Sequence, residues 1–237
     1  MTTQTPLRRF FGTAREHREN AVVAVLMLLI TIAYEYVSSL FLSGFSFNAY
    51  EFIGTWSGLV TVWLCRTENV LCWPWGIVSA FSLGYFFGGI GLPGQQWLNW
   101  GYFLIIQLWA WPHWVQGGKG ASELTVTSLT LQGRLLMLSA IVVLTGVVYT
   151  LIDVLVPGSV HPLLDAIVVA SSVVAQYLLG RKHVESWVLW LGPVNVLSIL
   201  LFMSAGAYTV MALYVAFFVH AAFALRSWQK SSLTHVI

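Results

Sequence analysis

The chain has 237 residues, of which 58% are hydrophobic and 8% charged, and its formal net charge is +2. A soluble domain carries roughly 25% charged residues, so this composition excludes a soluble fold and predicts a protein that lies in a lipid bilayer. The two cysteines, Cys65 and Cys72, match neither a disulfide framework nor a zinc-site spacing. No cleavable signal peptide is expected, because the first apolar run is too long for one.

Eight apolar segments follow one another along the chain, separated by short polar or Gly/Pro-rich stretches. They span residues 20–43, 49–65, 70–89, 95–115, 130–156, 162–180, 184–204 and 206–227. Helices of about 20 residues cross the hydrocarbon core of a bilayer, and these continuous apolar runs lack the alternation of membrane strands. The predicted fold class is therefore an all-α polytopic membrane protein with eight transmembrane helices.

The basic residues support this segment count. With a cytoplasmic N-terminus, all of them fall on the cytoplasmic side: Arg8, Arg9, Arg15, Arg18, Arg66, Lys119, Arg134, Arg181, Lys182, Arg226 and Lys230. The opposite side holds acidic but no basic residues: Glu51, Asp153 and Asp165. This asymmetry is what the positive-inside rule predicts. Residues 1–19 and 229–237 are therefore predicted to be cytoplasmic, and the small positive charge gives no indication of nucleic-acid binding.

Two stretches resemble each other across the chain. "ENVLCWPWG" begins at Glu68 and "ESWVLWLGP" at Glu185, and each has a tryptophan five residues on, Trp73 and Trp190. The offset is about 117 residues (185 − 68). In both stretches the Pro and Gly beside the tryptophan are predicted to break the helix locally.

The repeat predicts a 1+3+1+3 arrangement of the eight helices. An extra helix (20–43) precedes a first three-helix repeat (49–115), and a linker helix (130–156) precedes a second three-helix repeat (162–228). The two repeats are parallel, because both begin on the outer side. In transporters built this way the substrate lies near the midplane, where the repeats meet.

The fourth segment carries a stripe of amide and aromatic side chains. Gln96, Asn99, Phe103, Gln107 and Trp114 recur at i, i+3, i+7, i+11 and i+18 on one helical face, with Trp111 beside it. Such a face can hydrogen-bond and stack with a ligand. The alternative is that the amides pair with neighbouring helices.

The seventh segment combines tryptophans with a proline. Trp187 and Trp190 share a face, and Pro193 after Gly192 is predicted to bend or unwind the helix. Asn195 then offers a donor and an acceptor beside the freed backbone carbonyl. Trp190 and Asn195 are predicted to face the site, whereas Trp187 is equally compatible with an anchor at the membrane interface.

Other intramembrane polar residues are less specific. Asp165, Ser172 and Gln176 form a stripe on the sixth segment, where Asp165 is expected to end a helix at the outer surface. Glu35 is expected to point into the bundle. Tyr208, Tyr214 and His220 of the last segment remain open between site and structural roles, and the site prediction includes Tyr214.

The motifs of enzymes are missing. Cysteine and histidine do not cluster at metal-ligand spacing, and there is no Gly-rich phosphate loop or nucleophile elbow. The sequence therefore predicts no enzymatic activity, no metal and no cofactor.

From Glu51 to Trp228 the sequence resembles the PnuC-type nicotinamide riboside transporters of bacteria. The resemblance rests on "YEFIGTWSGLVTVWLCRTENVLCWPWG", on Trp111-x-x-Trp114 and on "GRKHVESWVLWLGPVN". The family's Trp-rich positions fall on Trp73, Trp111, Trp187 and Trp190, and its midspan amide on Asn195. Two positions depart from the family pattern: Ala110 replaces a glycine, and Asn195 follows Trp190 by five residues instead of four.

The resemblance implies a fold similar to the SWEET sugar transporters, with the helix at 20–43 as an addition. It also implies uptake of nicotinamide riboside across the bacterial inner membrane by facilitated diffusion. A separate cytoplasmic riboside kinase would trap the product.

The side chains suit this substrate. A flat cationic ring can stack between tryptophans at roughly 0.5–2 kcal/mol per contact, Gln107 or Asn195 can pair with its carboxamide, and Tyr214 and amides such as Asn99 can bind the ribose. Because no basic cluster is predicted at the midplane, a mononucleotide should be rejected.

Several alternatives stay open. The substrate could be a deoxynucleoside or thiamin, and a non-transporting membrane scaffold is a further alternative. Ion coupling through Glu35 or Asp165 and a homo-oligomer formed through the extra helix are also open.

Overall fold

The computed structural model describes residues 14–41, 46–90, 93–118, 123–155, 161–204, 206 and 208–234. Within these ranges the chain forms eight helices, which we label α1 to α8. Their bounds are Ala14–Phe41 (α1), Ala49–Arg66 (α2), Cys72–Gly89 (α3), Pro93–Trp97 with Leu98–Phe103 and Leu104–Gln116 (α4), Leu131–Leu155 (α5), Pro162–Gly180 (α6), Glu185–Leu189 with Trp190–Val194 and Asn195–Ser204 (α7), and Tyr208–Thr234 (α8). The middle parts of α4 and α7 are π-helical.

The predicted all-helical fold is confirmed, and each predicted segment corresponds to one helix. The differences lie at the two ends of the chain. Helix α1 begins at Ala14, inside the predicted segment 1–19, and α8 continues to Thr234, through most of the predicted tail 229–237. Residues 1–13, the ends of the segments predicted at 20–43 and 130–156, and residues 235–237 lie outside the described residues.

Five of the described helices are long and apolar enough to cross a membrane by length and composition alone. These stretches are His17–Phe41, Leu131–Leu155, Pro162–Gly180, Glu185–Ser204 and Val210–Leu233. The other three helices, α2, α3 and α4, form the first repeat. Helices α2 and α3 have 18 residues each, which is near the lower limit for a span.

Helix starts follow from local chemistry. Asn48 caps α2, because its side-chain oxygen accepts hydrogen bonds from the backbone N–H groups of Tyr50 at 2.9 Å and Glu51 at 3.2 Å. Pro162 opens α6 at a position where the missing N–H has no intrahelical partner.

Helix α3 is not broken at its proline, contrary to the prediction. Pro74 lies in the first turn of α3, which begins at Cys72 and continues without interruption to Gly89. A first-turn proline removes no intrahelical hydrogen bond, so the break predicted at Pro74 and Gly76 is wrong.

The helices pack as two three-helix units, α2–α4 and α6–α8, with α1 against α2 and α5 against α6. Two pairs of helices make the most extensive contacts between the units, and Phe87 of α3 also stacks on Phe202 of α7. Helix α2 packs against α8, and α4 packs against α6. The first helix of each unit thus contacts the third helix of the other, which is the pattern expected for two parallel repeats related by an axis along the membrane normal.

The turns between the first and second helices of each unit have the same backbone hydrogen bonds. In the first turn Glu68 N–H donates to the Cys65 carbonyl, and in the second Lys182 N–H donates to the Leu179 carbonyl. Glu68 has φ 58° and Lys182 has φ 53°, a left-handed conformation uncommon for residues other than glycine. The structural offset is therefore 114 residues (182 − 68).

This offset corrects the predicted alignment. At the structural offset of 114 residues Trp73 corresponds to Trp187, and not to Trp190. The sequence alignment matched Glu68 with Glu185 and was therefore three residues out of register with the backbone. Trp114 corresponds to Trp228 at the same offset, and the Trp73–Trp114 and Trp187–Trp228 ring pairs both cross at 86°.

The basic residues of the described turns meet at one end of the bundle, which we call the basic end. It comprises the turns 67–71 and 181–184, the segment 123–130 and the C-terminal part of α8. Thr127 of this segment forms a parallel bridge with His183, and Arg134 pairs with Glu185 at 3.0 Å. Arg8, Arg9 and Lys119 lie outside the described residues.

Candidate binding site

A cavity lies between the two three-helix units and contains about 770 Å³ of space not filled by atoms, its mouth included. Both units contribute to it. The lining includes Gly76, Asn99, Phe103 and Gln107 of the first unit, and Gln176, Trp187, Trp190, Asn195, Tyr214, Phe217 and His220 of the second. A cavity between helices at the junction of two repeats is a typical position for a small-molecule site.

Six of the eight predicted site residues line this cavity. They are Asn99, Gln107, Trp187, Trp190, Asn195 and Tyr214. The fold thus brings together side chains from α4, α7 and α8 that are up to 115 residues apart in the chain (214 − 99).

Trp73 and Trp111 are not among the cavity-lining residues. Trp73 is 1% exposed and its ring lies edge-on to that of Trp114, with centroids 4.9 Å apart. Trp111 is partly buried against the same cluster. Both belong to a tryptophan-rich layer between the cavity and the basic end.

Gln107 is held by a close contact with Gly76. Its side-chain Nε2 donates a hydrogen bond of 3.0 Å to the Gly76 carbonyl, and a Cβ at position 76 would overlap the Gln107 amide. The Oε1 atom of Gln107 is buried and has no partner among the described residues. The missing side chain of Gly76 therefore makes room for the Gln107 amide against α3, with Oε1 next to the position that a Cβ would take.

Asn195 follows the break in α7 that the sequence predicted. Gly192 has φ −88° and ψ −105°, which is not helical, and Pro193 follows it inside the π-helical turn. Asn195 is 1% exposed, and neither Nδ2 nor Oδ1 has a hydrogen-bond partner within the described part of the chain. An unpaired buried amide costs about 1–3 kcal/mol, so a partner supplied by a ligand would bind favourably.

The π-helical part of α4, Leu98–Phe103, also borders the cavity. Asn99 and Phe103 lie in the π-helical part of α4, and Asn99 Nδ2 donates to the Gln95 carbonyl at 2.8 Å. Because the π-turn changes the helical register, Gln96 of the predicted stripe does not line the cavity, and its amide lies over Gly88. Unwound segments of this kind are frequent at functional sites.

The walls of the cavity are aromatic. Trp190 and Phe103 lie with ring centroids 6.5 Å apart at 44°, and Tyr214 meets Phe217 at 5.5 Å. The buried Nε1 atoms of Trp187 and Trp190 have no acceptor among the described residues. The site can therefore stack a flat ring and still donate hydrogen bonds.

The described cavity lining is uncharged. None of the lining residues is Asp, Glu, Lys or Arg. His220 also lines it, and its Nε2 atom lies 2.9 Å from the Val62 carbonyl, which joins α8 to α2 across the units. The cavity therefore has no fixed charge to pair with a phosphate.

Phe217 was missed from the sequence. It lies 114 residues after Phe103 (217 − 103), and both rings line the cavity. The sequence contains this pair of phenylalanines, but they correspond only at the structural offset of 114 residues. The sequence alignment had an offset of 117 residues and therefore did not pair them. Gly76 was likewise missed as a partner of Gln107, because this contact is made between two helices.

Two further polar contacts join the units, the first at the end opposite the basic end and the second near the middle of α6. Gln95 Nε2 donates to Asp165 Oδ1 at 3.0 Å, and the Tyr102 hydroxyl donates to the Val173 carbonyl at 2.6 Å. Asp165 lies in the first turn of α6, near the helix end expected for it, and its carboxylate accepts this bond from the other unit.

Comparisons with known proteins agree with this architecture. A family model described as "Nicotinamide mononucleotide transporter" matches residues 48–230. The nicotinamide riboside transporter PnuC of Escherichia coli K12 is 25% identical over 213 residues, which cover 80% of this chain and 88% of that protein. The riboflavin/roseoflavin transporter RibM of Streptomyces davaonensis is 29% identical over 145 residues, covering 60% and 66%.

A crystal structure of the vitamin B3 transporter PnuC has the same fold. It superposes with a TM-score of 0.73 at 23% identity, over 91% of this chain and 92% of that one. The matched family model covers both three-helix units and the helix between them. The chain therefore belongs to the nicotinamide mononucleotide transporter family, and it is a multi-pass vitamin transporter of the PnuC type and not an enzyme.

Proposed function

We propose that this protein takes up nicotinamide riboside across the inner membrane of a bacterium by facilitated diffusion. The observation that carries the proposal is the cavity between the units, which combines aromatic walls and unpaired buried amide atoms with an uncharged lining. The E. coli PnuC relative is named for this riboside.

Each part of the riboside has a counterpart in the cavity. The flat cationic nicotinamide ring can stack on Trp190, where a desolvated cation–π contact contributes about 2 kcal/mol. Its carboxamide is both donor and acceptor, which complements Asn195 Oδ1 and Nδ2. The ribose hydroxyls can interact with Tyr214 and with the amides of Asn99 and Gln107, which line the cavity.

The uncharged lining favours the riboside over the mononucleotide. A phosphate without a cationic partner would be buried at a large cost in free energy, and no Lys or Arg is present among the described lining residues. The nicotinamide cation carries one charge that aromatic faces can accommodate, so it does not need a carboxylate.

Transport without an ion gradient is consistent with the positions of the intramembrane carboxylates. Glu35 lies on α1, outside the two units, and Asp165 accepts a hydrogen bond from Gln95 at the far end of the bundle. Neither lines the cavity. Net uptake would then be driven by a cytoplasmic riboside kinase, because the phosphorylated product cannot return through an uncharged site.

Riboflavin is the second candidate substrate, since the RibM relative is named for it. Its three-ring system is longer than nicotinamide, and the same stacking walls could hold it. A binding competition separates these two substrates, and thiamin and deoxynucleosides are included as further competitors.

The test is uptake and binding by the purified full-length protein. Proteoliposomes containing the protein should accumulate labelled nicotinamide riboside to equilibrium, and collapse of proton and sodium gradients should not change the rate. Unlabelled riboside should displace the label far better than riboflavin, thiamin, deoxynucleosides or nicotinamide. Saturable uptake of the mononucleotide, or stronger displacement by riboflavin, would contradict the proposal.

A further inference from the structure

The two turns at the basic end carry opposite charges at equivalent positions. Glu68 of the first unit and Lys182 of the second are related by the 114-residue offset, and both have a left-handed backbone. Their side chains meet across the junction of the units, with Lys182 Nζ 2.9 Å from Glu68 Oε2. This contact lies where the two units would have to separate.

Other groups hold the pair in place. The Lys182 side chain is 1% exposed, and its Nζ also lies 3.4 Å from Glu123 Oε1 and 4.7 Å from the centre of the Trp114 ring. The second carboxylate oxygen of Glu68 accepts a hydrogen bond of 2.9 Å from Ser231 of α8. Glu68 is therefore bound to two elements of the opposite unit.

A stack of tryptophans connects this pair to the cavity. Trp187 lines the cavity and lies 5.6 Å from Trp228, which lies 6.0 Å from Trp114. Lys182 in turn lies over the ring of Trp114. Since all three rings are at most 2% exposed, they fill the space between the cavity and the basic end.

The segment between the repeats lies over the same region. Val126 is 1% exposed within the tryptophan cluster, and Thr127 N–H donates to the Lys182 carbonyl at 3.0 Å. This segment thus packs on the turn that carries Lys182.

We propose that the Glu68–Lys182 ion pair, above the Trp114–Trp228–Trp187 stack, is the latch of the cytoplasmic gate. The latch closes the cavity on the side that the positive-inside rule assigns to the cytoplasm, and it must break for substrate to leave there. Lys182 is buried and Glu68 is 27% exposed, so desolvation of the lysine offsets part of the attraction and the contact suits a reversible closure. The inference rests on the proposed transport function.

Cys65 provides a readout that needs no substrate. It lines the cavity and is 1% exposed, so a membrane-impermeant maleimide should reach it from the cytoplasmic face only when the gate opens. With Cys72 replaced by serine, Glu68→Gln and Lys182→Gln should each label roughly tenfold faster in inside-out vesicles, because removing either charge favours the open population.

Arg134→Gln is the matched control. It removes a different ion pair at this end, Arg134–Glu185, which joins α5 to the second unit and does not connect the two units. Its labelling rate should equal that of the parent. Unchanged labelling in both Glu68→Gln and Lys182→Gln would overturn the latch, whatever the substrate is.

A cross-link provides a second measurement if either variant unfolds. In a protein with Cys65→Ser and Cys72→Ser, the Glu68→Cys and Lys182→Cys changes are made together and bridged with a reducible bifunctional thiol reagent. Bridging should stop uptake of labelled nicotinamide riboside, and reduction should restore it. Undiminished uptake by the bridged protein would overturn the latch, whereas absence of riboside uptake by the parent protein, with Cys65 labelled faster in Glu68→Gln and Lys182→Gln as predicted, would count against the substrate alone.

Discussion

At the scale of single residues, the cavity is defined by polar atoms that the fold buries without partners. Asn195 and the indole nitrogens of Trp187 and Trp190 have none among the described residues. Most buried polar atoms in native proteins are hydrogen-bonded, and exceptions often mark a binding role. These atoms therefore form the part of the site most sensitive to substitution.

Trp190→Ala and Asn195→Ala should each weaken nicotinamide riboside binding by about tenfold or more, or at least about 1.4 kcal/mol. The first removes the stacking face and the second the amide pair. Calorimetric titration of the purified protein measures both. Trp97→Ala is the control, because Trp97 is 69% exposed and outside the cavity. Parent affinity in both site variants would rule out this assignment.

Gly76→Ala should weaken riboside binding by about tenfold and lower the melting temperature. A Cβ at this position would overlap the Gln107 amide, and overpacking of this kind costs about 1–3 kcal/mol. Gly89→Ala in the same helix is the control, since a Cβ there has no neighbour within 4 Å among the described atoms. Equal effects of the two changes would show that the Gly76–Gln107 contact has no special role.

At the scale of elements, each unit has one interrupted helix, but not the same one. The first unit is interrupted in its third helix, at Leu98–Phe103, and the second in its middle helix, at Trp190–Val194. Both interruptions border the cavity. The repeats therefore share their turns and tryptophan pairs but contribute different side chains to the site.

Pro193→Ala should reduce riboside binding by about tenfold without lowering the melting temperature. The alanine supplies an N–H that can donate to the Leu189 carbonyl, which allows a regular helix and turns Asn195 relative to Trp190. Pro112→Ala is the control, because Pro112 lies inside α4 where the helix is not interrupted. The measurements are titration and thermal unfolding, and unchanged binding in Pro193→Ala would mean that the break is not needed for the site.

At the scale of the whole molecule, contacts between the units lie at both ends of the cavity. Gln95 and Asp165 meet at one end, and Glu68 and Lys182 at the other. A rocking motion about the cavity would break one set while keeping the other, which is the geometry that alternating access requires.

The basic end should make stability dependent on pH. Burial, together with the charge of Arg181, lowers the pKa of His183 below its ordinary value, although Glu185 and the Thr127 backbone oppose the shift. At a pH between the lowered pKa and the ordinary value of about 6.5, the unfolded chain binds more protons than the folded protein. The free energy of unfolding therefore decreases as the pH falls below about 6.5. Thermal unfolding at pH 7.5 and 5 measures this loss.

His183→Gln should reduce the loss of stability over that range, since glutamine does not titrate and can still accept or donate a hydrogen bond near Thr127. The same fall in melting temperature in variant and parent would assign the pH dependence to other groups.

Six of the eight candidate residues chosen from the sequence lie on helices that line the cavity and face it. Asn99, Gln107, Trp190 and Asn195 were predicted because amides and a proline-broken tryptophan segment inside an apolar span need polar partners. The sequence did not show that Trp187 lines the cavity and Trp73 does not, because both are tryptophans in the first turn of a helix. The difference depends on which neighbours face them in three dimensions.

The sequence by itself determined the eight helices, the sidedness of the charges and the presence of two repeats, since these follow from hydropathy and composition, which are local properties. Only the tertiary structure decided the 114-residue offset, the exclusion of Trp73 and Trp111 from the cavity, the Gly76–Gln107 contact and the Glu68–Lys182 pair. Each of these is a contact between helices distant in the chain. Periodicity shows which face of a helix is polar, whereas packing determines what that face meets.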